Sequence, residues 1–237
     1  MENKGKLYLL PVPLSEDWSE QMPTSVANCA KKLRYFIVER TKTARRFIKL
    51  MQHPLAIDDM VFFELNKHTK PEELDGFLQP LAEGKDIGLM TEAGCPAVAD
   101  PGAIIVRKAH EIGAKVVPLV GPSSLLLALM ASGMDGQQFV FNGYLPQKQH
   151  ERIEALKRLE TQSKRQSQTQ IMIETPYRNT AFFQDAVKHL SPMTLFCVAM
   201  DLTLEAEYVK TQKIMDWRRT PAPDLDKRPC VFLVFVP

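Results

Sequence analysis

The feature that most constrains this chain is a regular alternation of short apolar runs with helix-forming segments. Residues 6–12, 35–38, 61–65, 87–90, 116–120 and 138–142 read as strands, being short, apolar and bounded by turn residues. Between them, 24–33, 41–51, 71–82 and 123–132 read as helices, and a further helix opens at Asp100-Pro101 and is closed by Gly113. Strands separated by helices favour parallel pairing with helices on the sheet faces. After residue 142 the rhythm changes. Gly143-Tyr144-Leu145-Pro146-Gln147-Lys148 reads as a linker, 149–159 as a polar helix and 163–168 as a loop. Strands follow at 170–173, 195–200, 207–211 and 231–236, with a helix from Thr175-Pro176 to Leu190. The expectation is a two-lobed α/β protein. An N-terminal lobe, 1–142, holds a mostly parallel sheet with helices on both faces, and a smaller mixed α/β lobe spans 143–237.

Several chemistries drop out. With 30 Lys+Arg against 28 Asp+Glu the net charge is +2, so a polyanion must be met by a local patch. Cys29, Cys95, Cys197 and Cys230 form no C-x-x-C pair and read as reduced cytosolic thiols. The five histidines lack ligand spacing and read as surface residues, so no metal is expected. Neither G-x-G-x-x-G, G-x-x-x-x-G-K-[ST] nor G-x-S-x-G occurs. The uncharged stretch 116–134 is long enough for a membrane span. Pro118, Gly121 and Pro122 interrupt it, so it reads as buried strand, turn and buried helix, and no membrane partner or secretory signal is expected.

In open parallel sheets ligands bind beyond the carboxyl ends of the strands, which directs attention to the loops there. Thr91-Glu92-Ala93-Gly94-Cys95-Pro96-Ala97-Val98-Ala99-Asp100-Pro101-Gly102 is rich in small residues that let a ligand approach the backbone. Asp100 alone also reads as a helix cap. Val120-Gly121-Pro122-Ser123-Ser124 offers hydroxyls and free amides at a helix N-terminus, although taken alone the segment reads first as an N-cap serine.

Taken with Gly143–Lys148, Glu174-Thr175-Pro176-Tyr177-Arg178, Asp201-Leu202-Thr203-Leu204-Glu205-Ala206-Glu207 and Glu39-Arg40-Thr41-Lys42, these segments resemble an ordered motif set. It is that of the tetrapyrrole methylase superfamily of S-adenosylmethionine (SAM) dependent methyltransferases. The nearest branch is RsmI-like, whose members 2′-O-methylate a cytidine of 16S ribosomal RNA. The corresponding family patterns are S-D-A-G-T-P-x-I-S-D-P-G, P-G-P-S-A, G-F-L-P-x-K, E-S-P-x-R, E-L-T-K-x-x-E and E-D-T-R. The likeness spans nearly the whole chain. It departs at the first loop, where T-P-I-G-N-L is here Pro11-Val12-Pro13-Leu14-Ser15-Glu16, at Arg40 for an aspartate and at Leu204 for a lysine. The chain also stops at Pro237, short of the extension many members carry.

The resemblance implies a SAM cleft between the lobes, a cytoplasmic enzyme and a homodimer. Ala93, Gly94, Cys95 and Val98 would line the methionine and ribose side of SAM, and Ser123 and Ser124 would bind its polar groups. Glu174, Met200, Leu202, Pro229 and Cys230 would enclose the adenine, with both cysteines as packing residues. A ribose hydroxyl is a poor nucleophile, so a general base would help. Glu92 and Glu39, each following a buried strand, are the candidates, with a structural hydrogen bond as the competing role. RNA would demand cationic surface. Lys31, Lys32, Arg34, Arg40, Lys42, Arg45, Arg46 and Lys49 form one cluster against the single acid Glu39, and a second runs from Lys148 to Arg165. Arg45, Arg46, Lys148, Arg152 and Arg178 are the expected RNA contacts, with solvated helix faces as the alternative. Two other functions stay open: a methyltransferase for a tetrapyrrole or other small molecule, and a non-catalytic binding protein that keeps the fold.

Overall fold

The computed structural model describes residues 4–15 and 21–237. Glu16, the last residue of the altered first loop, lies outside them. The chain divides into two compact units, Met1–Ser123 and Ser124–Pro237.

The first unit is built on strands β1 (Lys6–Leu10), β2 (Tyr35–Val38), β3 (Val61–Glu64), β4 (Ile87–Met90) and β5 (Lys115–Pro118). Their order is β3-β2-β4-β1-β5, every neighbouring pair parallel. Helices α1 (Thr24–Ala30), α2 (Thr41–Leu50), α3 (Glu73–Ala82) and α4 (Ala103–Glu111) make the crossovers. Right-handed crossovers put helices on one face while the chain steps one way across a sheet and on the other when it turns back. Side-chain alternation along each strand fits this. Leu10, Phe36, Val38 and Met90 pack with Val26 of α1 and Phe47 of α2. Leu7, Ile37, Ile87 and Leu89 pack with Leu78 of α3 and Ile105 of α4.

The second unit contains α5 (Ser124–Ser132), β6 (Phe139–Tyr144), α6 (Gln149–Gln166), β7 (Thr169–Ile173), α7 (Asn179–His189), β8 (Leu195–Met200), β9 (Tyr208–Lys213), α8 (Ile214–Trp217) and β10 (Cys230–Phe235). The sheet order is β6-β7-β10-β8-β9, with β6 and β7 parallel and the remaining pairs antiparallel. Leu156 and Phe182 from α6 and α7 join Trp217 against Phe196 and Phe232 on one face. The Trp217 indole N–H donates to the Phe196 carbonyl at 2.9 Å. Ala128 and Leu129 of α5 lie on the other face, against Cys197, Ala199 and Leu233.

Three expectations shift. The division falls at Ser123/Ser124, well before 142/143, because α5 packs on β8, β9 and β10 and so belongs to the second sheet. Residues 163–166 of the expected loop 163–168 are the last turn of α6, and only Ser167 and Gln168 lie beyond it: Ser163 is fully buried, and its hydroxyl accepts the Val236 N–H at 2.9 Å. The helix at 123–132 is buried on one side only, since Leu126 is 52% and Met130 78% exposed. Among the described residues no helix is long and apolar enough to cross a membrane.

Arg152 also departs from expectation. Its side chain is buried, and its guanidinium donates to the Asp185 carboxylate at 2.6 and 2.9 Å and to the Gln147 carbonyl at 2.8 Å. It ties α6 to α7 and offers nothing to RNA, which corrects that assignment. Arg152→Met should cost about 3–5 kcal/mol, because it strands a buried carboxylate. Adding Asp185→Leu should recover most of that loss. Urea unfolding of the single and double variants measures both.

Candidate functional site

Strands β1 and β4 are neighbours whose following helices leave to opposite faces, so their carboxyl ends open a crevice in the first unit. Beyond the strands the two loops stay joined. The Val12 N–H donates to the Gly94 carbonyl at 2.9 Å, and the Gly94 N–H to the Val12 carbonyl at 2.8 Å. Gly94 has φ +80°, a conformation that costs a non-glycine residue steric strain. The loop after β5 lies against the same place. Gly121 is pressed on Pro11 so closely that a Cβ would stand 2.1 Å from the proline Cβ. The Cys95 thiol donates to the Pro122 carbonyl at 3.3 Å. Ala93, Gly94, Cys95 and residues 121–123 therefore share one neighbourhood. Ser124 follows as the first residue of α5.

Asp100 is a loop organiser. Its two carboxylate oxygens accept the N–H groups of Ala97 (2.9 Å) and Gly102 (2.6 Å), holding a loop in which Ala97 and Ala99 both have positive φ. The helix begins only at Ala103, so the structural reading of Asp100 holds, as an anchor of the turn before α4. Val98, at the outer bend of that loop, is exposed.

The two glutamates meet and take different tasks. Glu39 Oε1 accepts the Thr91 hydroxyl at 2.5 Å and the Glu92 N–H at 3.1 Å, fastening the end of β2 to the end of β4. The Glu92 carboxylate accepts the Thr43 hydroxyl at 3.1 Å and lies 4.0 Å from Arg40, whose side chain is mostly exposed. Desolvation by burial, opposed by the Thr43 hydrogen bond and reinforced by the nearby Glu39 charge, raises the Glu92 pKa above the usual carboxylate range. Glu92 and Ala93 wall a cavity of about 260 Å³, together with Leu14, Thr43, Phe47 and Leu50 among others.

In the second unit the end of β7, the end of β8 and the start of β10 lie side by side, because Cys230 pairs with Met200 and Val231 with Ile173. That register gathers Glu174, Met200, Leu202, Pro229 and Cys230. The Asp201 N–H donates to the Pro229 carbonyl at 3.0 Å, and Arg228 clamps the Asp201 carboxylate at 2.5 Å. Glu174 Oε1 accepts the Thr175 N–H at 2.6 Å and pairs with Arg178 at 2.5 Å. Its Oε2 is buried without a partner, as are Asn179 Oδ1 and Thr203 Oγ1. Sequence reasoning gave neither Asn179 nor Thr203 a role: Thr203 stood only as part of the 201–207 motif, and a buried Asn near a helix start reads as ordinary capping. Asn179 Nδ2 donates to the Arg228 carbonyl at 2.6 Å, which holds the approach to β10.

The remaining cations separate. Arg45 is exposed, with its guanidinium 5.3 Å above the Phe62 ring, and Arg46 borders the cavity. Lys148 is exposed and pairs with Glu151 at 3.1 Å. Arg178 is spent on Glu174 and Thr175, so its first task is to orient a buried carboxylate rather than to meet RNA. Burial raises the Cys95 thiol pKa and pushes Cys230 to about 12, so both are neutral packing groups rather than nucleophiles. Among the described residues no cluster of His, Cys, Asp and Glu could hold a metal ion.

Because the Pro11 ring cannot yield as a flexible side chain would, Gly121→Ala should destabilise the protein by about 1–3 kcal/mol. Gly136→Ala, where a Cβ meets nothing within 4 Å, should change stability far less. Thermal unfolding of the two variants makes the comparison.

No family model matches the chain. It is 30% identical over 201 residues to ribosomal RNA small subunit methyltransferase I of Escherichia coli O157:H7, covering 85% of this chain and 66% of that protein. To the protein of that name from Synechocystis sp. it is 30% identical over 200 residues, 84% of this chain and 67% of the relative. To that of Buchnera aphidicola subsp. Schizaphis graminum it is 25% identical over 237 residues, covering 99% and 79%. Among solved structures, the methyltransferase CobJ superposes with a TM-score of 0.64 at 15% identity, covering 98% of this chain and 94% of that one. Uroporphyrin-III-C-methyltransferase from Thermus thermophilus gives 0.52 at 14%, covering 98% and 92%. At those identities the two structures establish a shared fold alone, which in this chain is a five-stranded parallel sheet followed by a mixed sheet. The extent and identity of the match to the Synechocystis protein make this chain a member of the ribosomal RNA small subunit methyltransferase I family.

Proposed function

We propose that this protein transfers the methyl group of SAM to a ribose 2′-hydroxyl of 16S ribosomal RNA. The observation that carries the reading is the meeting, at one strand end, of a cavity-lining carboxylate, Glu92, with the small-residue loop 93–98.

The residues present suit SAM. Glu174 Oε2 is a buried acceptor with no donor, as an exocyclic adenine amine requires, and Arg178 fixes the other oxygen of that carboxylate. Met200, Leu202, Pro229 and Cys230 supply apolar surface for the ring beside it. Ala93, Gly94, Cys95 and Val98 present small side chains and main chain to the methionine and ribose portion, with Ser123 and Ser124 as hydroxyl partners. When bound, SAM supplies an electrophilic methyl group, so the protein's share is to position the acceptor, exclude water and remove a proton.

Glu92 is the group that takes the proton. It faces the cavity, its carboxylate is oriented by Thr43, and its raised pKa makes it a better base than an ordinary glutamate. Glu39 is a positioning residue, since its Oε1 is occupied by Thr91 and by the Glu92 N–H. Arg45, Arg46 and Lys148 remain as cationic contacts for RNA, in the cytoplasm where ribosomal subunits reside.

Purified protein, tritiated SAM and 30S subunits should yield label in 16S RNA at a ribose. SAM binding without any labelled RNA would overturn the reading. Glu92 must be ionised to accept a proton, so activity should be lost as pH falls through a midpoint above the usual glutamate range. Glu92→Gln should lower kcat by about 10²–10⁴ and remove that limb. Glu39→Gln should lower activity yet keep the limb.

We also propose a homodimer. Leu126 and Met130 are exposed one turn apart on α5, where a single chain leaves them against water. Sedimentation should give about twice the 26.9 kDa chain mass, and Leu126→Glu with Met130→Glu should halve it.

A further inference from the structure

The cavity beside Glu92 has a chemistry that general acid–base work alone does not require. Phe47 and Leu50 of α2 form one apolar wall, and Pro13 and Leu14 from the loop after β1 line it too. Its polar groups are Ser15, Thr43, Arg46 and Glu92. Apolar walls with a few polar groups suit a flat heterocycle. At about 260 Å³ the space sits just below the roughly 300–1,000 Å³ typical of drug-sized ligand sites, enough for one such ring.

The helix forming that wall is also the most one-sidedly charged among the described helices. α2 reads Thr-Lys-Thr-Ala-Arg-Arg-Phe-Ile-Lys-Leu, so Lys42, Arg45, Arg46 and Lys49 are carried with no acid. Lys42, Arg45 and Lys49 are exposed, while Ala44, Phe47 and Ile48 face the core. An apolar cavity bordered by a cationic helix fits a ligand with a flat uncharged part and an anionic backbone. The cavity ends at Glu92 and Ala93, directly before the Gly94–Cys95 turn, so an occupant is delivered to the place where the methyl donor is proposed to lie.

We infer that this cavity is an acceptor-nucleoside pocket. One nucleotide of single-stranded or unstacked RNA turns its base between the α2 wall and the 13–15 segment, with its phosphates along α2 and its ribose toward Glu92. Enzymes that modify a nucleotide within folded nucleic acid take it out of the stack, and an apolar slot offsets part of the lost stacking. This inference rests on the RNA methyltransferase reading above and assigns it a binding site.

The test fills the slot. Leu50 is 45% exposed, so Leu50→Trp intrudes on the cavity without touching charge or the buried core. Methylation of 30S subunits is followed with tritiated SAM, and SAM binding by calorimetry. The expected result is a KM for 30S subunits raised at least tenfold with the SAM Kd unchanged. Ser15→Trp, which enters from the loop side, should do the same and serves as the second variant if Leu50→Trp misfolds. Unaltered KM in both folded variants overturns the pocket while leaving the methyltransferase reading intact. A parallel loss of SAM affinity also overturns it, by showing that the cavity belongs to the cofactor. Wild-type protein that binds SAM and labels no RNA overturns the underlying reading, and the nucleoside pocket with it.

Discussion

Strands β1 and β4 lie side by side and send their helices to opposite faces of the sheet, and the site in the first unit depends on that divergence. A parallel sheet presents all its strand ends at one edge, but only a reversal of winding leaves a gap there. The gap would be soft if the loops were free. Here the two-way backbone bond between Val12 and Gly94 closes its floor, and Glu39 fastens a third strand end to Glu92. Backbone bonds and one shared carboxylate thus fix the Glu92 main chain, while its side chain is left to Thr43 and the cavity. One carboxylate, Glu39, thus positions the main chain of the other, and the Glu92 side chain keeps only the Thr43 hydrogen bond and the exposed Arg40 beside it.

The second unit shows the same economy in another form. Arg152 and Asp185 are a buried pair in which the neighbouring Gln147 and Gln149 add further hydrogen bonds, so the charges are well compensated. At the strand ends of the same unit, Glu174, Asn179 and Thr203 each keep a buried oxygen without a donor. An unsatisfied buried polar atom costs about 1–3 kcal/mol. The contrast is between a buried charge whose hydrogen bonds are complete and one that keeps an oxygen without a donor.

Much of this was legible in the sequence. The strands at 35–38, 87–90 and 195–200 are found at those bounds, because each is a short apolar run flanked by turn residues, a signal carried by local composition. The reading failed where tertiary contact decides. Nothing local distinguishes Ser163 in a polar stretch from a loop serine, yet its hydroxyl is needed by Val236 across the fold, and the helix continues through it. The same holds for Arg152, whose sequence neighbours look like a solvated basic helix until α7 brings Asp185 against it. That Glu39 and Glu92 converge follows from β2 and β4 being neighbours, which strand spacing alone does not dictate. Asn179 lay beyond reach and Thr203 was visible only as part of the 201–207 motif, since only burial sets their oxygens apart.

The departures from the family pattern are compatible with this machinery for physical reasons. The first loop lacks the glycine and asparagine of that pattern, but its contact with the next loop runs through main-chain atoms of Val12, which any residue in extended conformation can supply. The positive φ at the crossing is carried by Gly94 on the partner loop, a glycine that the family pattern also has at that place. Arg40 reverses a charge, yet its side chain is 77% exposed and its guanidinium stands 4.0 Å from Glu92. At such exposure solvent screens most of the attraction, and exposed pairs are worth about 0–1 kcal/mol. Burial therefore outweighs Arg40, and the Glu92 pKa moves up rather than down. A buried cation at the same place would have held the carboxylate ionised and weakly basic. An exposed one adds positive charge at the start of α2, in line with Lys42, Arg45 and Arg46, and leaves the Glu92 pKa raised.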